Sequence, residues 1–319
     1  MTNWNNLFKE ALKWRVEEEP RFSDPLQIGR CFAGDADAAR RVFVDAFGPL
    51  VVLTIYNPDY TSQSTLILNS LQDFFGSSRF VLGKIRKVDG GFTYIDPFGV
   101  LGRSWVAKED DCFFEVRADD KNDFGLFPDA RPARQALRSL LTSDSVVLNL
   151  FSYTCGFGVI AKKAGASSVI NIDANSEMLT WGKRNATLNN VDFAVVPEFA
   201  QKYLNRLQRR IEDGKMKCPD VWVCDPPAFG MGRGQQRLLK YFWDDFWKAV
   251  EALRPRTVLV LRNDRTGFRA GETLGEELPA FVKALYRIRA VDFAQTPSLC
   301  YDAHDAFYKL TESLVLFRS

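Results

Sequence analysis

Two apolar runs separated by a glycine turn and a helix-patterned stretch constrain this chain most. The first, Val146-Val147-Leu148-Asn149-Leu150-Phe151, leads into Ser152-Tyr153-Thr154-Cys155-Gly156-Phe157-Gly158. A helical pattern follows from Gly158 to Lys163, and the second run, Ser168-Val169-Ile170-Asn171-Ile172, ends in Asp173. Continuous apolar runs of this length suit strands buried on both faces, as in a parallel sheet. Strand, helix and strand in this order make a right-handed β-α-β unit. In open sheets of such units, ligands sit beyond the carboxyl ends of the strands, near the point where strand order reverses.

The turn does not complete a dinucleotide fingerprint. That pattern needs three glycines spaced G-x-G-x-x-G, and the third position here is Ala161. Glycines at Gly156 and Gly158 let backbone approach a ligand, and an acid at Asp173 can accept both hydroxyls of a ribose. The expected ligand is therefore a nucleoside without a pyrophosphate, of which S-adenosyl-L-methionine is an example.

A second feature lies downstream. The strand-like run Val221-Trp222-Val223-Cys224 opens into Asp225-Pro226-Pro227-Ala228-Phe229-Gly230. Each proline fixes φ and removes a donor, leaving a stiff ledge that chiefly accepts hydrogen bonds. Phe229 can stack on a planar substrate such as a nucleobase.

The remaining second half alternates in the same way. Helices are expected over Arg131 to Leu141, Ser176 to Asn189 (with Ser176 as N-cap), Ala200 to Ile211, Arg237 to Leu253 and Leu274 to Tyr286. Strands are expected over Phe193 to Pro197, Thr257 to Arg262, Ile288 to Ala294 and Ser313 to Arg318. The fold class is α/β: a Rossmann-like, seven-stranded, mostly parallel sheet with helices on both faces. The first part reads as a small α+β domain. It has helices over residues 3–19, Asp35 to Phe47 and Ser64 to Phe75. Its strands run over Leu50 to Tyr56, Phe80 to Val88, Phe92 to Ile95 and Phe113 to Arg117, with a hairpin signal at Asp89-Gly90-Gly91. A boundary in Asp119-Asp120-Lys121-Asn122 gives domains 1–122 and 123–319.

Three segments carry a family resemblance: Phe124-Gly125-Leu126-Phe127-Pro128-Asp129-Ala130-Arg131, the Asn149 to Gly158 turn, and Asp225 to Gly230. In order and spacing the chain resembles the class I S-adenosylmethionine-dependent methyltransferases, and within them the bacterial large-subunit ribosomal RNA methyltransferases. The resemblance implies that Phe151, Ser152, Thr154, Gly156 and Gly158 line the cofactor and that Asp173 holds its ribose. It also implies that Glu198 contacts its adenine, and that Asp129 and Arg131 close over it and orient its carboxylate. Asp225 would serve both cofactor and substrate, with Pro226, Pro227 and Phe229 positioning the reacting base. The chain departs from the family pattern at Cys155, where relatives usually have Gly, and at Ala130, where they usually have Gln.

The resemblance also poses a choice of chemistry. Enzymes that methylate carbon 5 of a pyrimidine first add a cysteine to carbon 6. In relatives that do so, the cysteine follows the strand after the Asp-Pro-Pro element. Here that strand ends Leu261-Arg262-Asn263-Asp264-Arg265. Cys224 alternates with Asp225 and so points away from it. Cys300, in a C-terminal loop pattern, is read as ordinary loop. The expectation is direct in-line transfer to a base nitrogen of RNA, ribosomal RNA foremost. A protein or small-molecule N-methyltransferase, a cytosine-C5 enzyme and a non-catalytic RNA-binding module stay as alternatives.

Composition adds limits. Of 319 residues, 46% are hydrophobic and 26% charged, with a net charge of +2, too mild to argue nucleic-acid binding by itself. Six scattered cysteines and the lone His304 offer no zinc spacing and no His-based triad, so no metal is expected. No apolar run reaches the ~18–20 residues that span a bilayer, and Met1-Thr2-Asn3-Trp4 starts no secretory signal. A cytoplasmic enzyme without membrane contact is expected, with a homodimer left open. The segment Arg233 to Lys240 reads as a basic loop able to act as a lid. The run Lys202, Arg206, Arg209, Arg210, Lys215, Lys217 reads as a solvated helix face.

Overall fold

In the computed structural model, residues 3–18, 20–87, 91–118, 124–227, 233–262, 278–291 and 312–318 are described. They divide into two compact units, one running through Arg131 and one beginning at Pro132 and including the C-terminal strand.

The first unit starts with helix α1 (Trp4–Glu18) and contains a five-stranded sheet. Its strands are β1 (Ile28–Ala33), β2 (Val42–Phe47), β3 (Leu50–Ile55), β4 (Phe80–Arg86) and β5 (Phe92–Ile95), in that spatial order. All neighbours are antiparallel except β3 and β4, which are parallel and bridged by α2 (Ser64–Phe75). One face of the sheet packs on α1 and α2 through Val42, Val44, Val51, Leu53, Ile55, Val81 and Ile85, against Trp4, Phe8, Ile67 and Leu68. Arg15, fully buried on α1, is paired with Asp37 at 2.7 Å, which offsets part of the desolvation of both charges. A hairpin of β6 (Ser104–Glu109) and β7 (Cys112–Arg117) follows.

One sequence expectation fails in this unit. The helix placed over Asp35 to Phe47 is a short 3-10 turn at Gly34–Asp37 followed by strand β2. The apolar spacing in Val42-Phe43-Val44-Asp45-Ala46-Phe47 fits both periods, and pairing on both sides with β1 and β3 decides it. Strands β1 and β6 were not anticipated.

The second unit contains α3 (Arg131–Leu140, its first residue in the first unit), β8 (Val146–Leu150), α4 (Gly156–Lys163), β9 (Ser168–Asp173), α5 (Ser176–Leu188) and β10 (Ala194–Pro197). It continues with α6 (Ala200–Glu212), β11 (Val221–Cys224), α7 (Arg233–Leu253), β12 (Thr257–Arg262), α8 (Ala280–Leu285), β13 (Tyr286–Ala290) and β14 (Glu312–Arg318). These strands form one sheet in the order β10-β9-β8-β11-β12-β14-β13. The first five are parallel, and β14 runs antiparallel to both neighbours.

Alternation sorts the side chains. Leu148, Leu150, Trp222, Cys224, Val258 and Val260 face a core shared with Tyr203, Leu204 and Leu207 of α6, Phe246 and Val250 of α7 and Val282 of α8. Each fully buried Leu or Val there contributes roughly 1.5–3 kcal/mol. On the opposite face, Asn171 of β9 meets Gly158 of α4. A Cβ at Gly158 would lie 2.4 Å from the Asn171 Oδ1, so helix and sheet approach closely because that position is glycine.

Three further expectations are corrected here. Helix α5 is capped by Asn175, whose side chain accepts from Glu177 N–H, rather than by Ser176. Arg233 to Lys240 is not a loop but the start of α7, as the good helix formers Gln, Arg, Leu and Lys favour. Tyr286 begins β13 instead of ending a helix, held through its hydroxyl by the Pro255 carbonyl at 3.0 Å.

Candidate active site

The chain leaves β8 and turns outward on the left of the sheet through β9 and β10, and on the right through β11 and β12. The order reversal therefore lies between β8 and β11, whose last residues Leu150 and Cys224 are register partners. The segments that follow them, starting at Phe151 and Asp225, are the ones sequence reasoning selected.

Past β8 the backbone alternates. Phe151, Tyr153 and Cys155 have φ of 56°, 48° and 61°, a left-handed conformation that costs a non-glycine residue of order 1–3 kcal/mol. Hydrogen bonds hold the shape. Ser152 N–H donates to the Ile172 carbonyl at 2.9 Å and Cys155 N–H to the Ser152 carbonyl at 2.7 Å. The Asn185 amide donates to the Thr154 carbonyl at 3.0 Å. Ser152, Thr154, Gly156 and Gly158 are buried, and Phe151 is half-buried against Phe242 with ring centroids 4.8 Å apart. Helix α4 starts directly after Cys155, so its first N–H groups and positive dipole end lie at this turn.

Asp173 joins the pieces. Its Oδ2 accepts from Tyr153 N–H at 2.8 Å and its Oδ1 from Asn175 N–H at 2.8 Å. Its backbone carbonyl accepts from Glu198 N–H at 3.0 Å. A carboxylate has about four acceptor sites, so two remain for a diol. One residue thus ties the β8 turn, the start of α5 and the end of β10.

The Glu198 side chain is only 12% exposed and accepts from Arg206 at 2.7 Å, with Lys202 at 3.7 Å. Lys202 and Arg206 reach it from the basic run, whose described side chains remain on a solvated face, Lys202 77% and Arg206 41% exposed. Beside Glu198 stands Phe199, an aromatic side chain 72% exposed at the N-cap of α6. Sequence reasoning passed over Phe199, although an aromatic directly after a strand's acidic end was the available signal.

Asp225 is half-buried, Pro226 buried and Pro227 exposed, and Asp225 N–H reaches the Leu150 carbonyl at 3.5 Å. Phe229 lies outside the described residues, as do Cys300 and His304. Asp129 and Arg131 belong to the first unit. There the Arg131 guanidinium donates to the Asp110 carboxylate at 2.6 Å, an ion pair with both partners largely shielded from solvent.

The thiols near the turn are buried. Burial pushes Cys155 up to about 12, despite a Ser152 hydroxyl contact, and lifts Cys224 well above its ordinary value. Cys224 lies in the core with Leu150 and Trp222, on the side away from Asp225. Among the described residues, no cluster of three His, Cys, Asp or Glu groups offers a metal site, and no helix is long and apolar enough to cross a membrane.

The family model for S-adenosylmethionine-dependent methyltransferases matches residues 81–265. Ribosomal RNA large subunit methyltransferase I of Enterobacter sp. (strain 638) is 29% identical over 260 residues, covering 79% of this chain and 64% of that protein. Ribosomal RNA large subunit methyltransferase K/L of Alteromonas mediterranea is 28% identical over 245 residues, covering 73% and 34%. The chain thus spans less than two thirds of the length of the curated relatives it matches. A Streptococcus mutans protein assigned as a SAM-dependent methyltransferase superposes with a TM-score of 0.73 at 18% identity, covering 99% of this chain and 82% of that one. At that identity the likeness speaks for the fold. The family model takes in more than half of the sequence and includes the β8 turn, Asp173 and Asp225, and on that ground the chain belongs to the S-adenosylmethionine-dependent methyltransferases.

Proposed function

We propose that this protein transfers a methyl group from S-adenosyl-L-methionine to a base nitrogen of RNA, with large-subunit ribosomal RNA as the substrate. The observation that supports it most directly is the placement of the Asp225-Pro226-Pro227 ledge beside the β8 turn, with Cys224 turned into the core.

The residues present fit the cofactor. Asp173 keeps two acceptor positions for the ribose hydroxyls, and the buried Gly156 and Gly158 turn leaves backbone N–H groups of α4 for a carboxylate. Glu198 and the exposed Phe199 ring offer a polar and an aromatic contact for adenine. When bound, the cofactor supplies an electrophilic methyl on sulfur.

In-line displacement asks the protein mainly for proximity and alignment. Asp225 and the carbonyls of the proline ledge accept the N–H groups of the target base and orient a ring nitrogen or exocyclic amine. Phe229 stacks on its face. Covalent activation of carbon 6 needs a thiolate, and burial holds Cys155 and Cys224 as thiols. The ribosomal substrate follows the printed names of the relatives from Enterobacter and Alteromonas.

The test is transfer of labelled methyl to total RNA from cells lacking the gene, followed by digestion to nucleosides. Label in a methylated guanosine or adenosine supports the reading. Label in 5-methylcytidine refutes nitrogen transfer. No label, with cofactor binding intact, refutes RNA as substrate.

A further inference from the structure

Three side chains meet where β10 passes into α6. Glu198 follows the strand, Phe199 is the N-cap of the helix and Arg206 stands about two turns along it. The backbone of Glu198 is tied to the neighbouring strand, its N–H donating to the Asp173 carbonyl at 3.0 Å. Asp173 carries the carboxylate that suits a ribose. A base is joined directly to its ribose, so the base of a nucleoside held by Asp173 falls beside it, where Glu198 and Phe199 stand.

The Glu198 carboxylate is not free to turn. Arg206 donates twice to its Oε2, from Nη2 at 2.7 Å and from Nε at 3.2 Å. The guanidinium in turn lies over the Tyr203 ring, 4.9 Å from its centroid. Tyr203 is packed in the core, and its N–H donates to the Phe199 carbonyl at 3.0 Å. Oε2 thus receives two donors, as many as its lone pairs accept. Oε1 differs. Among the described residues its partner is Lys202 at 3.7 Å, beyond hydrogen-bond length and on a side chain 77% exposed. One oxygen is held and the other is left to accept.

We propose that Arg206 is a positioning residue for the cofactor: by holding Glu198 Oε2 it presents Oε1 to the 6-amino group of adenine, and so makes the enzyme select a 6-aminopurine over a 6-oxopurine. The proposal rests on the reading that Glu198 contacts adenine. The exocyclic amine of adenine donates, and a carboxylate oxygen accepts. A 6-oxo group instead sets a second acceptor against Oε1 and leaves both unpaired. Phe199 packs on the face of either base and does not tell them apart. Selectivity therefore depends on the edge contact, which is only as directional as the carboxylate is fixed. Arginine suits this task, since its planar fork fixes its donors in one plane, whereas Lys202 is a point charge on a flexible stem.

The experiment measures binding of S-adenosylhomocysteine and of its 6-oxo analogue, S-inosylhomocysteine, to the full chain by calorimetry. Wild type is compared with Arg206→Ala, Lys202→Ala and Glu198→Gln, with thermal unfolding recorded on the same preparations. Wild type should prefer the amino ligand roughly 10–100-fold, the scale of one hydrogen bond to a charged group. Arg206→Ala is expected to cut that preference by about fivefold or more, because the released carboxylate can turn to water. Lys202→Ala should leave it within about twofold, as an exposed partner contributes little. A purely structural part for Arg206 weakens both ligands alike and keeps their ratio, and an unchanged ratio overturns the proposal. Glu198→Gln separates the two levels of the argument. Loss of preference there, with wild-type preference in Arg206→Ala, overturns the positioning role alone. Wild-type preference in Glu198→Gln, or no preference in wild type, overturns the adenine contact and the positioning role with it. If Arg206→Ala unfolds, Arg206→Met, which keeps the stem beside Tyr203, carries the same comparison.

Discussion

Gly182 of α5 leaves open the space that the Cys155 thiol fills: a Cβ at position 182 would stand 2.4 Å from Cys155 Sγ and 2.9 Å from its Cβ. The two residues are matched in volume, one large where the family usually has glycine and the other reduced to glycine. Gly182→Ala is expected to destabilise the fold by about 1–3 kcal/mol through overpacking. Cys155→Gly relieves a left-handed residue but empties a buried site. The double variant should be more stable than the sum of the two single losses, a coupling that a double-mutant cycle in denaturant unfolding measures. Additive losses would contradict the pairing.

Asp173→Asn keeps the shape of the side chain and removes its charge. It weakens charge-assisted bonds to Tyr153 and Asn175 N–H, each worth about 1.5–3 kcal/mol, and forfeits the charged acceptor for a diol. Cofactor affinity should fall at least tenfold by calorimetry, with the circular dichroism spectrum unchanged. Wild-type affinity in this variant would remove Asp173 from the site.

Asp225→Ala separates binding from chemistry. The ledge is assigned to the base more than to the cofactor, so kcat should drop roughly 10²-fold or more, the scale of misplaced reactants. Cofactor affinity should change by less than Asp173→Asn changes it. A steady-state assay beside equilibrium cofactor binding reads the difference.

The Cys155 thiol is expected to resist alkylation near pH 8 in the native protein and to react once unfolded. Its ordinary value is 9.0 and the folded value is pushed up to about 12. Between those values the unfolded chain loses the proton and the folded chain keeps it, so stability must fall as pH rises through that window. It is unaffected below it. The slope contributed is at most about 1.4 kcal/mol per pH unit. Urea midpoints from pH 8 to 11 should show this slope in wild type and a shallower one in Cys155→Ser. Cys155→Ser and Cys224→Ser should both retain methyl transfer; loss on either would reopen covalent catalysis.

Much of the second unit was legible because its strands are largely buried and read as apolar runs. Val221 to Cys224 is buried throughout, and Val146 to Leu150 and Ser168 to Asp173 stand out as apolar runs interrupted inside by Asn149 and Asn171. The first unit was harder. Val42 to Phe47 is a strand because β1 and β3 lie on either side of it, information that sequence carries only at long range. At the site, backbone-dictated features were readable: the glycine turn, the acid at a strand end and the proline ledge. Side-chain partnerships were not. Glu198 bound to Arg206, eight residues on along the start of a helix, could have been proposed from spacing. Arg131 bound to Asp110 depends on how β7 and the segment before α3 fold back.

Because Asp173 is the common acceptor for Tyr153, Asn175 and Glu198, these three amides share one thermodynamic fate. Opening of any one of the segments loosens its anchor for the other two. Their hydrogen-exchange rates should therefore move as a set, and a ligand that grips the Asp173 carboxylate should slow all three by a similar factor, including Glu198, whose amide need not touch the ligand at all.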